Sequence, residues 1–131
     1  MKKSEAIIQT LNEGKTDETV PEVLNVLFRP SVQPYLISWF RYDPAQEIAK
    51  LSMPILIVQG TTDIQVSVQD ARLLAKAKPS AELCIIEGMN HVFKEVSDDK
   101  EKQMRSYSDP ALPVAPKLVV EVSQFVRKLK E

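Results

Sequence analysis

Two residues of this chain have the types and positions to share a proton-transfer task. Asp63 lies four residues beyond the apolar run Pro54-Ile55-Leu56-Ile57-Val58-Gln59, and His91 four residues beyond the run 82–87, built on Leu83, Cys84, Ile85 and Ile86. A carboxylate hydrogen-bonded to one imidazole nitrogen fixes the tautomer and stabilises the imidazolium, so the other nitrogen can act as general base. A hydroxyl nucleophile needs that assistance. The two positions are 28 residues apart, so the fold must bring them together.

The intervening pattern supplies a way. Residues 54 to 59 are apolar until Gln59, as expected of a strand covered on both faces. Ser67 reads as the N-cap of a helix with Val68, Ala71, Leu74 and Ala75 inward, closed by Pro79. Residues 82 to 87 read as a second strand. Strand, helix and strand within this span form a βαβ unit with a right-handed crossover. Adjacent parallel strands lie about 4.8 Å apart. Loops leaving their carboxyl ends, where such sheets gather functional groups, can join a carboxylate to an imidazole.

Around this unit the chain reads as one α/β domain over 1–131, with a helical segment at 1–51 and the βαβ unit plus a last helix at 52–131. In the first segment Ser4 caps a helix carrying Ile7, Ile8 and Leu11, and a polar loop with Gly14 follows. Pro21 opens a second helix with a stripe of Val23, Leu24, Leu27 and Phe28, ended by Arg29-Pro30. Ser31 opens a third, with Val32, Tyr35, Leu36, Trp39 and Phe40; Asp43-Pro44 caps a fourth, leading to Ile48 and Leu51. Residues 97 to 114 are charged and then proline-rich, which suits a surface excursion, with Asp98, Asp99, Glu95 and Glu101 solvated. Pro116 to Lys130 carries Val119, Val122, Phe125, Val126 and Leu129 at helical spacing, to pack back on the sheet.

Composition excludes several functions. With 17 basic and 18 acidic residues the formal net charge is −1, which gives no general attraction to nucleic acid or membranes. Apolar runs fall far short of the ~20 residues needed to span a bilayer. The start of the chain, Met1-Lys2-Lys3-Ser4-Glu5, lacks the apolar core of a secretory signal. The single cysteine, Cys84, cannot form an internal disulfide; it suits a cytoplasmic protein and reads as a small buried hydrophobe. One histidine and no cysteine pair leave too few ligands for a metal site. Glycine occurs only at 14, 60 and 88, so no glycine-rich phosphate loop is present and no cofactor is expected.

The stretches Pro54 to Val66 and Ala81 to His91 resemble the penultimate strand with acid loop and the last strand with histidine loop of the α/β-hydrolase family. The helix from Pro116 is in the expected place, and residues 18 to 51 are similar to the back of that family's cap. The resemblance implies a partial α/β-hydrolase fold, with Asp63 as triad acid and His91 as general base. It also implies that Tyr35, Trp39 and Val66 contact substrate. The aromatic group from Tyr35 to Tyr42 otherwise reads as core or cap packing. One element of the pattern is missing: no serine has a glycine two positions away on either side, so there is no G-x-S-x-G elbow.

Three readings follow. The chain is the C-terminal part of a serine-type esterase or acyl hydrolase, inactive alone. It is a non-catalytic binding or assembly module derived from one. Or it is half an enzyme, acting on a small ester or acyl substrate once a partner supplies serine and oxyanion hole. The outer edge of the 54–59 strand is apolar and uncharged, which predicts a homodimer with these strands paired antiparallel.

Overall fold

Pro54 and Pro79 each stand shortly before an apolar run, and these two runs form the sheet of the chain. The structure, a computed structural model, describes residues 2–129. The chain divides into two compact units, residues 1–47 and 48–131, and passes from one to the other within a helix. The break at 51/52 expected from composition falls four residues after this division.

The first unit is helical. Its elements are α1 (Lys2–Asn12), a 3-10 turn (Glu22–Leu24), α2 (Asn25–Phe28), a second 3-10 turn (Pro30–Val32), α3 (Gln33–Phe40) and the start of α4 (Pro44–Lys50). Ile7, Leu11, Phe28 and Ile37 form its core, with Val20, Leu24 and Leu36 packed against them. Gly14, at φ 76°, ends α1. Its N–H donates to Leu11 O (3.0 Å) and the Lys15 N–H to Thr10 O (3.1 Å), the paired bonds of a glycine-capped C-terminus. Gln33 is fully buried. Its Nε2 donates to Asp17 O (2.7 Å) and Phe28 O (2.8 Å), while its Oε1 accepts from the Asp17 N–H (2.8 Å). One carboxamide thus satisfies the backbone of both the polar loop and the end of α2. Asp43 caps α4, its Oδ1 accepting from the N–H groups of Ala45 and Gln46.

Several expectations for this unit are corrected. α1 already runs through Ser4, which lies inside the helix rather than at its cap. Ile8 is exposed, because the face of α1 that meets α3 is centred on Ile7 and Leu11. The stripe after Pro21 is not one helix: a 3-10 turn and a single α-turn leave Val23 and Leu27 in solvent and bury Phe28. In α3 the buried face is Gln33 and Ile37, and Tyr35, Trp39 and Phe40 are exposed rather than core. α3 begins at Gln33, two residues after Ser31 and behind the 3-10 turn, and its inward face is set by what packs opposite, not by the aromatic spacing.

The second unit is a βαβ motif with mixed α/β character. β1 (Leu56–Gly60) and β2 (Glu82–Ile86) pair in parallel, Leu56 opposite Glu82 through Gly60 opposite Ile86. α5 (Val68–Ala77) connects them and lies against both. It opens on a capping box: Asp70 N–H donates to Ser67 Oγ (3.3 Å) and Ser67 N–H to Asp70 Oδ2 (3.0 Å). Ile86, Met89 and Ala115 make the core, with Val58, Cys84 and Leu118 against them. β1 begins two residues later than the expected 54, and Gly60 belongs to it.

Two further corrections concern the C-terminal part. The excursion at 97–114 contains α6 (Lys100–Ser106), whose Gln103 and Ser106 are buried, so this stretch is anchored rather than a loose surface loop. Glu95, Asp98, Asp99 and Glu101 are exposed, as expected, and Asp99 also caps α6 through the Lys102 N–H (2.9 Å). α7 (Pro116–Lys128) touches both strands but buries none of its residues fully; Val119, Val122, Val126 and Leu129 are exposed. A two-stranded sheet is too narrow to cover a helix of this length. Lys130, the expected end of this helix, lies outside the described residues.

Candidate functional site

The site is built where the two strands end. After β1 the chain turns through Thr61 and Thr62, and after β2 through Glu87 and Gly88; the two turns are stitched together. Thr61 N–H donates to Ile86 O (3.0 Å), Thr62 N–H to Met89 O (3.2 Å), and Gly88 N–H to Thr61 Oγ1 (2.9 Å). Their approach depends on Gly60: a Cβ there would stand 1.8 Å from the Met89 carbonyl oxygen. No side chain fits that contact.

This stitching brings Asp63 and His91 together, with Asp63 Oδ2 3.0 Å from His91 Nδ1. The acid is enclosed and the base is open: the Asp63 side chain is 6% exposed and that of His91 39%. Asp63 accepts from four donors. Oδ1 takes the N–H groups of Gln65 (2.8 Å) and Val66 (3.0 Å), and Oδ2 takes Gln59 Nε2 (3.0 Å) as well as the imidazole. Burial pushes the Asp63 carboxyl up, but the N–H groups of Val66 and Gln65, with His91 and Gln59, outweigh it and hold it below the usual carboxylate range. An ionised Oδ2 can only accept, so the shared proton sits on His91 Nδ1 and the Nε2 lone pair is free. Nε2 has no hydrogen-bond partner among the described residues.

Three residues that the sequence reading did not assign to the site help to form it. Gln59, the last side chain of β1 and itself buried, donates through Nε2 to Asp63 Oδ2, to Val66 O (3.0 Å) and to Gly60 O (3.2 Å). Its signal in the sequence is a polar residue closing an apolar strand. Asn90, buried beside His91, fixes the histidine loop. Its Nδ2 donates to Ser106 Oγ (2.7 Å) and Gln103 Oε1 (3.3 Å), and its Oδ1 accepts from the N–H groups of Val92 (3.2 Å) and Lys94 (3.0 Å). This explains why α6 carries buried polar residues. Phe93 follows in a left-handed backbone conformation at φ 63°, the only non-glycine residue among those described with positive φ. For a bulky side chain that conformation costs about 1–3 kcal/mol. Nothing in the sequence announces it.

Asp63 and His91 open onto a concavity of about 240 Å³ whose apolar walls include Val58, Val66, Met89 and Phe93. Val66, expected to contact substrate, lines it. Tyr35 and Trp39 belong to the helical unit instead, where their rings pack on each other with centroids 4.7 Å apart. Among the described residues no three metal-ligating side chains converge. No helix among them is long and apolar enough to cross a membrane. Cys84 offers no substitute nucleophile: burial pushes its thiol above the usual range, and the charge of Glu121 adds to this against Lys117.

No protein-family model matches the chain, and no curated protein matches it.

Proposed function

We propose that residues 48–131 supply the acid and the general base of a serine-type α/β-hydrolase acting on an ester or acyl substrate. The nucleophile and oxyanion hole come from further polypeptide, and the chain is inactive alone. The observation that carries this reading is the Asp63–His91 pair, 3.0 Å apart at the carboxyl ends of adjacent parallel strands, with the acid enclosed and Nε2 free. In that role Asp63 orients the ring and stabilises the imidazolium, while Nε2 takes the proton of a hydroxyl and later returns it to the leaving group. The exposed apolar face of α7 and the narrowness of the sheet favour burial against more polypeptide. A lone cysteine suits a reducing compartment, which favours the cytoplasm.

The coding DNA upstream of the Met1 codon, read for an in-frame strand followed by G-x-S-x-G, is the first test. A longer protein so encoded should hydrolyse 4-nitrophenyl esters and lose about 10³-fold or more in kcat on His91→Ala. An unrelated upstream gene, or full activity in the variant, overturns the reading.

The unpaired edge of β1 favours a second reading, an assembly module that forms a homodimer along the 54–59 segment. Ile55 O accepts from the Glu82 N–H and the Thr61 N–H donates to Ile86 O, so the odd-numbered residues of β1 face β2. By alternation the backbone groups of Leu56 and Val58 point outward, and among the described residues they have no partner.

A further inference from the structure

We infer that Phe93 is a specificity-determining residue of this site, its ring forming the wall that receives an apolar acyl or aryl group next to the scissile bond. The inference rests on the acid–base reading of Asp63 and His91. Its own ground is a mismatch between the backbone and the side chain at this position. Phe93's own bonds are both main-chain, within a loop that the Asn90 carboxamide holds through the N–H groups of Val92 and Lys94: Phe93 N–H donates to Asn90 O (3.0 Å) and Phe93 O accepts from the Ala115 N–H (2.7 Å). Glycine would make both bonds without the steric conflict of a left-handed Cβ. The ring is not recovered as core either, since Phe93 is 51% exposed. A strained, half-exposed aromatic that the fold does not need lines the concavity holding the acid and the base.

The rest of the lining selects the kind of group that fits. Val58, Val66 and Met89 are apolar, and neither lysine nor arginine contributes. The carboxamide nitrogens of Gln59 and Asn90 are bonded within the protein. Asp63 is the only acid among the described residues of the wall, and it repels an anionic group. A sugar-like or charged substituent would find few free partners here, and an apolar one would be desolvated against Phe93.

The chain holds one histidine, so alkylation of His91 reads the site directly in the protein as it is. Nε2 attacks the methylene carbon of a bromomethyl ketone, the C–Br bond breaks, bromide leaves with the bonding pair, and Nδ1 keeps its proton towards Asp63. Phenacyl bromide and bromoacetone are compared, with peptide mapping to separate modification at Cys84. The phenacyl-to-acetonyl rate ratio at His91 should exceed that of free N-acetylhistidine by about tenfold, the discrimination an apolar pocket provides. Phe93→Gly should bring the ratio back towards the free value. A wild-type ratio equal to that of free histidine overturns the inference and needs no variant; an elevated ratio that survives Phe93→Gly overturns it as well. Asp63→Asn tests the underlying reading separately. It should slow His91 alkylation by bromoacetone, and an unchanged rate would count against the acid–base pair while leaving the ratio to judge Phe93.

Discussion

At the scale of single residues, the site is governed by how many donors a buried carboxylate can hold. Asp63 has four, and its carboxyl is held below the usual range although burial opposes this. A carboxyl whose folded pKa lies below its unfolded value of 3.8 contributes stability that is fully present above that value. The contribution is lost as pH falls through the folded pKa. Urea midpoints of the wild type should therefore drop more steeply below about pH 4 than those of Asp63→Asn, with parallel curves at pH 6 to 7. Equal slopes at low pH would mean that the carboxylate is not tied down as described. In the same variant, ¹⁵N spectra of His91 should show the Nδ1–H tautomer giving way to Nε2–H, since nothing then requires a donor at Nδ1. Gln59 acts through Asp63 as a positioning residue. Gln59→Leu removes one donor from Oδ2 and orphans the Val66 carbonyl. It should cost about 1–3 kcal/mol by chemical denaturation and raise the Asp63 pKa. A neutral outcome on both measures would remove Gln59 from the site.

At the scale of elements, the decisive contact is between two turns rather than between two helices. Gly60 lets the end of β1 lie against the Met89 carbonyl, and the bonds from Thr61 and Thr62 then hold the acid loop to the histidine loop. Gly60→Ala places a methyl group where there is no room, and backbone cannot rotate away as a side chain can. We expect a loss of about 1–3 kcal/mol or more and disappearance of the His91 Nδ1–H signal. A stable variant with the signal intact would show that the turns tolerate separation. The histidine loop also depends on α6, through Asn90, Gln103 and Ser106. The Lys94 ammonium adds a tether to the carbonyls of Asp109 and Leu112. The proline-rich excursion is therefore part of the support of the base.

At the scale of the molecule, the second unit has more apolar surface than its two strands can cover. α7 leaves valines and Leu129 in solvent, and β1 has an outer edge with no partner among the described residues. If that edge pairs with a second copy, sedimentation should give a dimer at high micromolar concentration, and Val58→Pro should give a monomer. The Val58 N–H points away from β2, so proline there removes the outward donor and leaves the β1–β2 ladder bonds in place, while a urea midpoint reads the cost of the side chain lost from the core. A wild type that stays monomeric sinks the homodimer, and the uncovered surface then belongs against a different polypeptide.

The amino-acid sequence by itself determined the elements whose signals are local. The βαβ unit, the Ser67 and Asp43 caps and the positions of Asp63 and His91 beyond their strands follow from apolar runs, cap chemistry and prolines, which act over a few residues. Burial was decided by the tertiary structure, because it depends on what lies opposite. α3 turns Gln33 and Ile37 inward instead of Tyr35 and Trp39, Ile8 faces water while Ile7 does not, and α7 stays half covered. The finer parts of the site are non-local for the same reason. The Gly60–Met89 approach, the bond that closes His91 onto Asp63 and the Ala115 bond to the left-handed turn at Phe93 exist only where loops distant in sequence meet. Each is set by hydrogen bonds and contact distances between segments, which no run of neighbouring residues encodes.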